Sequence, residues 1–79
     1  MAMFYVYVLQ DKITKEIYIG FSKNLVSRIK DHKKENKNLV LVYYEAYCSE
    51  RAARDRERRL KLYGQSLSSL KRRIKDCFF

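Results

Sequence analysis

Apolar residues alternate along the start of the chain, with Tyr5, Tyr7 and Leu9 on one side and Phe4, Val6 and Val8 on the other. Both sides are hydrophobic, so Met3 to Leu9 is expected to form a strand covered on both faces. A polar segment from Gln10 to Glu16 follows, and then a second short β-type run, Ile17 to Gly20. A connection of that length predicts a hairpin, with Tyr7 and Tyr18 close together on adjacent strands. The period then lengthens. Leu25 and Ile29 form a stripe at helical spacing, Ser22 or Asn24 can cap its start, and the helix is expected to run to about Lys34. Lys33 to Asn38 reads as a solvated connector and Leu39 to Tyr47 as a third strand. Ser49 can cap a second helix carrying Ala52, Ala53, Arg56, Glu57 and Leu60 on adjoining faces, with Tyr63-Gly64 as its stop. A last helix starting near Ser66 is expected to bury Leu67, Leu70 and Ile74 and to turn Lys71, Arg72, Arg73 and Lys75 outward. The order ββαβαα, without repeats or a linker, predicts one domain over residues 1–79. Its class is α/β, a sandwich in which a small three-stranded sheet is flanked by helices.

Composition narrows what such a domain does. A chain of 79 residues without proline buries only roughly 60% of its unfolded surface, so the core is expected to be shallow. Eighteen Lys and Arg stand against nine Asp and Glu, a net charge of +9. That surplus attracts phosphates or anionic lipid, and the imbalance of sign over the clusters Lys33-Lys34, Arg54 to Arg59 and Lys71 to Lys75 favours nucleic acid over merely solvated helix faces. Lys23, Lys33, Lys34, Arg56 and Lys61 are the candidate nucleic-acid contacts. If ~4 such side chains neutralise phosphates on duplex DNA, affinity falls with salt at a log-log slope of roughly −3.6. The longest apolar stretch, around Leu39 to Tyr44, is too short to span a bilayer, and no basic region with an apolar run and cleavage site opens the chain. The expectation is a cytoplasmic protein without a membrane partner. Cys48 and Cys77 have neither a metal-site nor a disulfide-framework spacing and read as buried or idle thiols. Phe78-Phe79 reads as packing.

Against this background a few residues carry chemistry. Arg28 and His32 lie one turn apart on the first helix, beside the Leu25 and Ile29 stripe, and can reach over the edge of the sheet. Glu57 follows Ala53 by four and precedes Leu60 by three, which puts a carboxylate on the line facing the core, where it needs a cation, metal or water as partner. Plainer readings exist for each. Tyr5 and Tyr7 taken alone are packing residues, Arg28 can pair with Asp31, and Glu57 with Lys61 makes an ordinary helix pair worth only ~0.3–0.5 kcal/mol. Together, however, phenols, a guanidinium and a carboxylate in a basic cleft suit phosphoryl transfer, in which positioning and charge stabilisation dominate.

The order and spacing of these residues resemble the GIY-YIG nuclease family over nearly the whole chain, most closely its small single-domain members. Tyr5-Val6-Tyr7 stands at the first family tripeptide, with tyrosine in place of the name-giving glycine, and Tyr18-Ile19-Gly20 matches the second letter for letter. Arg28 and His32 resemble the family's arginine and the histidine one turn later, and Ala53 to Lys61 resembles its glutamate-bearing helix. The resemblance implies a metal-dependent endonuclease that hydrolyses DNA phosphodiester bonds. Glu57 would be the metal ligand for Mg2+, with Mn2+ as a substitute, and Tyr7 would orient or deprotonate the attacking water, assisted by Tyr18 or His32. Arg28 would stabilise the transition state, and Gly20 would allow a close backbone approach. The connector after His32 is shorter than in the single-domain relatives, and no second domain is present to read sequence, which implies structure-directed or weakly specific cleavage. The alternative is a DNA- or RNA-binding module of a repair or recombination assembly, with weak or no catalysis, and a protein partner could then supply specificity.

Overall fold

The computed structural model describes residues 2–79. Strand β1 (Phe4–Asp11) turns into β2 (Ile17–Ser22), helix α1 (Leu25–Glu35) follows, and β3 (Leu39–Tyr47) returns to the sheet ahead of α2 (Glu50–Leu62) and α3 (Gly64–Arg73). A 3-10 turn at Lys75–Cys77 ends the regular structure. The sheet order is β2-β1-β3 with both pairings antiparallel, so the first strand made is the central one. The expected ββαβαα arrangement is the one observed.

The two faces of β1 receive different helices. Val6 and Val8 pack with Ala53 and Leu60 of α2 and Leu70 of α3, joined by Phe21, Ile19 and Ile74. Tyr7 and Leu9 pack on the other face with Leu39 and Leu41 of β3 and with Leu25 and Ile29 of α1. The sheet is therefore covered on both sides, as the two-sided apolar pattern of β1 requires. A bulge between Val8 and Leu9 in the β1–β3 register brings Val42 and Tyr43 both onto the α2 side.

Several boundaries differ from the sequence expectation, each for a local reason. Strand β1 runs on through Gln10 and Asp11, both only 4% exposed, because the hairpin satisfies their side chains. Asp11 Oδ1 accepts from the amides of Ile13 and Thr14, its Oδ2 accepts from Asn36 Nδ2, and Gln10 Nε2 donates to the Lys15 carbonyl. These bonds, led by the Asn36 amide, hold the Asp11 carboxyl below its ordinary range. Helix α1 is capped by Asn24, whose Oδ1 accepts from Ser27 N at 3.1 Å, and it absorbs Lys33 and Lys34, so the solvated connector is only residues 36–38. Its last turn carries His32, Lys33 and Lys34, where positive charge suits the C-terminal end of the helix dipole. Ser49 caps α2 as expected, and α3 begins at Gly64 directly after Tyr63 rather than near Ser66. Cys48 and Cys77 are exposed, not buried. Phe78 joins the α2-side core, and the Phe79 amide donates to Gln10 Oε1 at 2.9 Å, pinning the chain end to the last turn of β1. No helix is long and apolar enough to cross a membrane.

Candidate active site

Tyr7 leaves the middle of the central strand on the α1 side and is 3% exposed. Its cross-strand neighbour on β2 is Gly20. The phenol lies so close over that glycine that a Cβ there would collide with the Tyr7 hydroxyl and ring. Gly20 has an ordinary extended backbone without positive φ, so the requirement is for space rather than for unusual dihedrals. From the opposite direction comes His32, placed in register with Leu25 and Ile29 on the inward side of α1. Its Nε2 lies 2.7 Å from the Tyr7 hydroxyl, and the two rings meet edge to face at 65°.

Burial pushes the Tyr7 phenol above its usual range, the Arg28 guanidinium opposes this, and the Glu57 carboxylate adds to it. The two charges that act on the phenol arrive from different helices, α1 and α2. Arg28 makes no ion pair among the described residues. The expected alternative pairing with Asp31 does not form, although both side chains line one open cleft with Phe21, Ser22 and Ser27. Glu57 lies between the buried Ala53 and Leu60 with its side chain 19% exposed, and Lys61 Nζ donates to Oε2 at 3.0 Å. The helix pair and the inward carboxylate, set against each other in sequence, are both present.

No group of three or more His, Cys, Asp or Glu side chains capable of holding a metal occurs among the described residues. A single largely shielded carboxylate that keeps one oxygen without a protein partner among the described residues suits a hard cation that retains most of its waters and takes its remaining ligands from a phosphate. The donor set therefore fits magnesium or manganese held by Glu57 and does not fit zinc.

Other expected site residues are placed differently. Tyr18 shares the sheet face of Tyr7 but stands opposite Leu9, one pleat along, and is 42% exposed. Its hydroxyl donates to Glu16 Oε2 at 2.6 Å, and this bond holds the phenol above its ordinary value. Tyr18 and Tyr7 are thus diagonal neighbours on adjacent strands, as expected, and the Tyr18 hydroxyl bonds Glu16 rather than Tyr7 or His32. Arg56 also departs from its expected place on the nucleic-acid side. Its guanidinium forms a two-pronged pair with Glu45 at 3.0 and 3.1 Å, beneath the sheet on the α2 side. Tyr43 and Tyr47 donate to the same carboxylate. Lys33 and Lys34 are exposed, and Lys23 is exposed with Glu50 at 3.8 Å.

One cation, named in sequence only as part of the Arg54 to Arg59 cluster, takes a place at the site. Arg54 stacks its guanidinium 4.1 Å from the Phe21 ring centre and lines the same cleft as Arg28. Its position three residues before Glu57 on α2 is the signal that could have placed it, since that spacing shares a helix face.

Comparison with known proteins bears on this geometry directly. The model of the GIY-YIG catalytic domain matches residues 3–66, which takes in Tyr7, Gly20, Arg28, His32 and Glu57. Searches of curated proteins and of solved structures gave no match.

Proposed function

Since this chain belongs to the GIY-YIG family, a family of nucleases, we propose that it is a metal-dependent endonuclease cutting DNA phosphodiester bonds with weak sequence preference. The observation that carries the reading is the Tyr7–His32 hydrogen bond seated over Gly20, and the opposite pulls of Arg28 and Glu57 on the Tyr7 phenol agree with it. Members of the family generally depend on a divalent metal and act on nucleic acid.

In this reading Tyr7 is a relay rather than a free phenolate. A buried phenol pushed above its usual range keeps its proton at neutral pH, so a lone general base is a poor description of it. Its hydrogen bond to His32 resolves the difficulty. With the Tyr7 proton directed at Nε2 of a neutral imidazole, the phenol oxygen presents a lone pair to the attacking water. As water oxygen bonds to phosphorus and the P–O bond to the departing oxygen breaks, its electron pair leaving with that oxygen, the water proton passes to the Tyr7 oxygen while the Tyr7 proton passes to Nε2, and no charged phenolate forms. Arg28 neutralises charge that develops on the non-bridging oxygens. A divalent cation held by Glu57 would supply Lewis-acid polarisation of the phosphate and stabilise the departing oxygen. Lys23, Lys33, Lys34 and Arg54 hold the nucleic-acid backbone through charge.

The test is nicking of supercoiled plasmid and cleavage of branched DNA with magnesium, manganese or chelator, comparing wild type with folded Glu57→Ala and Arg28→Ala. The expected result is metal-dependent cleavage lost in both variants, with salt-sensitive binding retained, as for groups acting on the transition state. Binding without cleavage by the wild type on every substrate would overturn the nuclease reading in favour of a binding module.

A further inference from the structure

The sheet face that buries Tyr7 does not close at its open end. Tyr44 of β3 stands directly across from Tyr7 on the same face and is 51% exposed. Tyr5 lies one pleat back along β1, and its ring meets Tyr44 edge to face with centres 6.1 Å apart. The two rings form the floor of an open groove whose wall is the start of α1, with Lys23, Leu25 and Val26. Val26 is 66% exposed. No helix covers this end: α1 packs its Leu25 and Ile29 stripe against Tyr7, Leu9 and Leu41. Neither tyrosine hydroxyl has a side-chain partner among the described residues, in contrast to Tyr7, Tyr18, Tyr43 and Tyr47.

We infer that the Tyr5–Tyr44 shelf with Lys23 binds an unpaired nucleobase adjacent to the phosphodiester that is cut. The inference rests on the nuclease reading for the word adjacent, and on the shelf itself for the base. The half-exposed Tyr44 ring, braced edge to face by the partly buried Tyr5, offers a π-face that any base can stack on, and a lysine at its rim supplies charge for the neighbouring phosphate. Complementarity points the same way, since the chain carries a surplus of nine positive charges. A fully paired duplex keeps its bases stacked inside the helix and cannot use the shelf. A gap, flap or branch point presents a free base, so the groove would select substrates that contain one. Tyr44 is the cross-strand neighbour of Tyr7, with Cα atoms roughly 5 Å apart, so a base stacked on Tyr44 lies on the sheet face that carries Tyr7.

The experiment is equilibrium binding in chelator, where cleavage cannot interfere, using a duplex with a single-nucleotide flap carrying 2-aminopurine and the matching fully paired duplex. Wild type is expected to bind the flapped form more tightly and to quench its fluorescence on stacking. Tyr44→Ala should weaken flap binding about 10-fold and abolish the quench, leaving duplex affinity unchanged, while Tyr44→Trp retains both. Tyr5→Ala gives the same direction with a smaller loss, and circular dichroism identifies any variant that has not folded. Equal affinity of wild type for the two duplexes, or a flap preference and quench that survive both alanine variants, would overturn the inference. Failure of the nuclease reading looks different, because it would appear as absent cleavage in magnesium with the flap preference intact.

Discussion

Two glutamates meet arginine and tyrosine in this molecule, and they are treated oppositely. Glu45, beneath the sheet, accepts two bonds from Arg56, one from Tyr43 and one from Tyr47. Burial alone would raise its carboxyl, but the bonds from Arg56, Tyr47 and Tyr43 outweigh that and hold it below the usual range. The Glu57 charge is felt by a tyrosine too, raising the Tyr7 phenol, yet its one bond is to Lys61 at the helix surface. A carboxylate with every acceptor direction filled has nothing left with which to bind a substrate or a cation. One with directions to spare can do chemistry. Saturation therefore separates a structural ion pair from a candidate catalytic group where residue identity does not.

The widest separation between the two is expected on exchanging each for alanine. Glu57→Ala should lower the cleavage rate at least about 1000-fold and leave the unfolding midpoint in denaturant near that of wild type. Glu45→Ala should do the reverse. Loss of the carboxylate strands a partly buried guanidinium at a cost of about 2–4 kcal/mol, while the rate per folded molecule is retained. Comparable losses of rate in both would break the distinction. Next in size is Gly20→Ala, whose methyl group displaces the Tyr7 phenol from its seat. The rate is expected to fall about 100-fold with little change in KM, and a crystal structure or the tyrosine resonances should show Tyr7 released from His32.

The saturated cluster also sets the pH limits of the fold. Burial, aided by the bond to Glu45, pushes the Tyr47 phenol up to about 12, and Tyr43 is raised for the same two reasons. In the unfolded chain these phenols ionise near ~10, so above that pH the unfolded state binds fewer protons and stability falls as pH rises towards about 12. Glu45 acts on the acid side, where its lowered carboxyl contributes stability above about 4.5 that is lost as the pH drops through its folded value. Tyr47→Phe should flatten the alkaline limb in denaturation followed by circular dichroism. An unchanged limb would remove Tyr47 from the account. The smallest effect belongs to Lys61→Met, which breaks an exposed pair and should shift stability by no more than about 0.5 kcal/mol.

Local patterns were legible in the sequence, and pairings between distant elements were not. The alternation of β1, the caps at Asn24 and Ser49 and the Leu25 and Ile29 stripe are contained within a few residues, and each appears in the structure where the pattern put it. The boundaries that moved did so because polar residues found partners: Gln10 and Asp11 could enter a strand only because the hairpin and Asn36 bond their side chains. In the candidate site, the closeness of Tyr7 to His32 and the clearance over Gly20 follow from register, which no single segment encodes. Arg56 was misplaced for the same reason. Its partner lies eleven residues back on another element, although Glu45 alternating between Tyr43 and Tyr47 already put three polar tips on one side of β3.

The position of β1 has a consequence for how the chain is made. The earliest of the three strands in the domain is the one that needs neighbours on both sides, and its second neighbour, β3, is not complete until Tyr47. At ordinary rates of synthesis the interval from Asp11 to Tyr47 is about 2 to 7 s. Through that time an apolar strand holding Tyr7 has at least one bare hydrogen-bonding edge, the kind of surface on which nascent chains join one another. The nascent chain is thus exposed to self-association before the candidate site can assemble, and the burden of protecting it falls on whatever handles the chain at the ribosome.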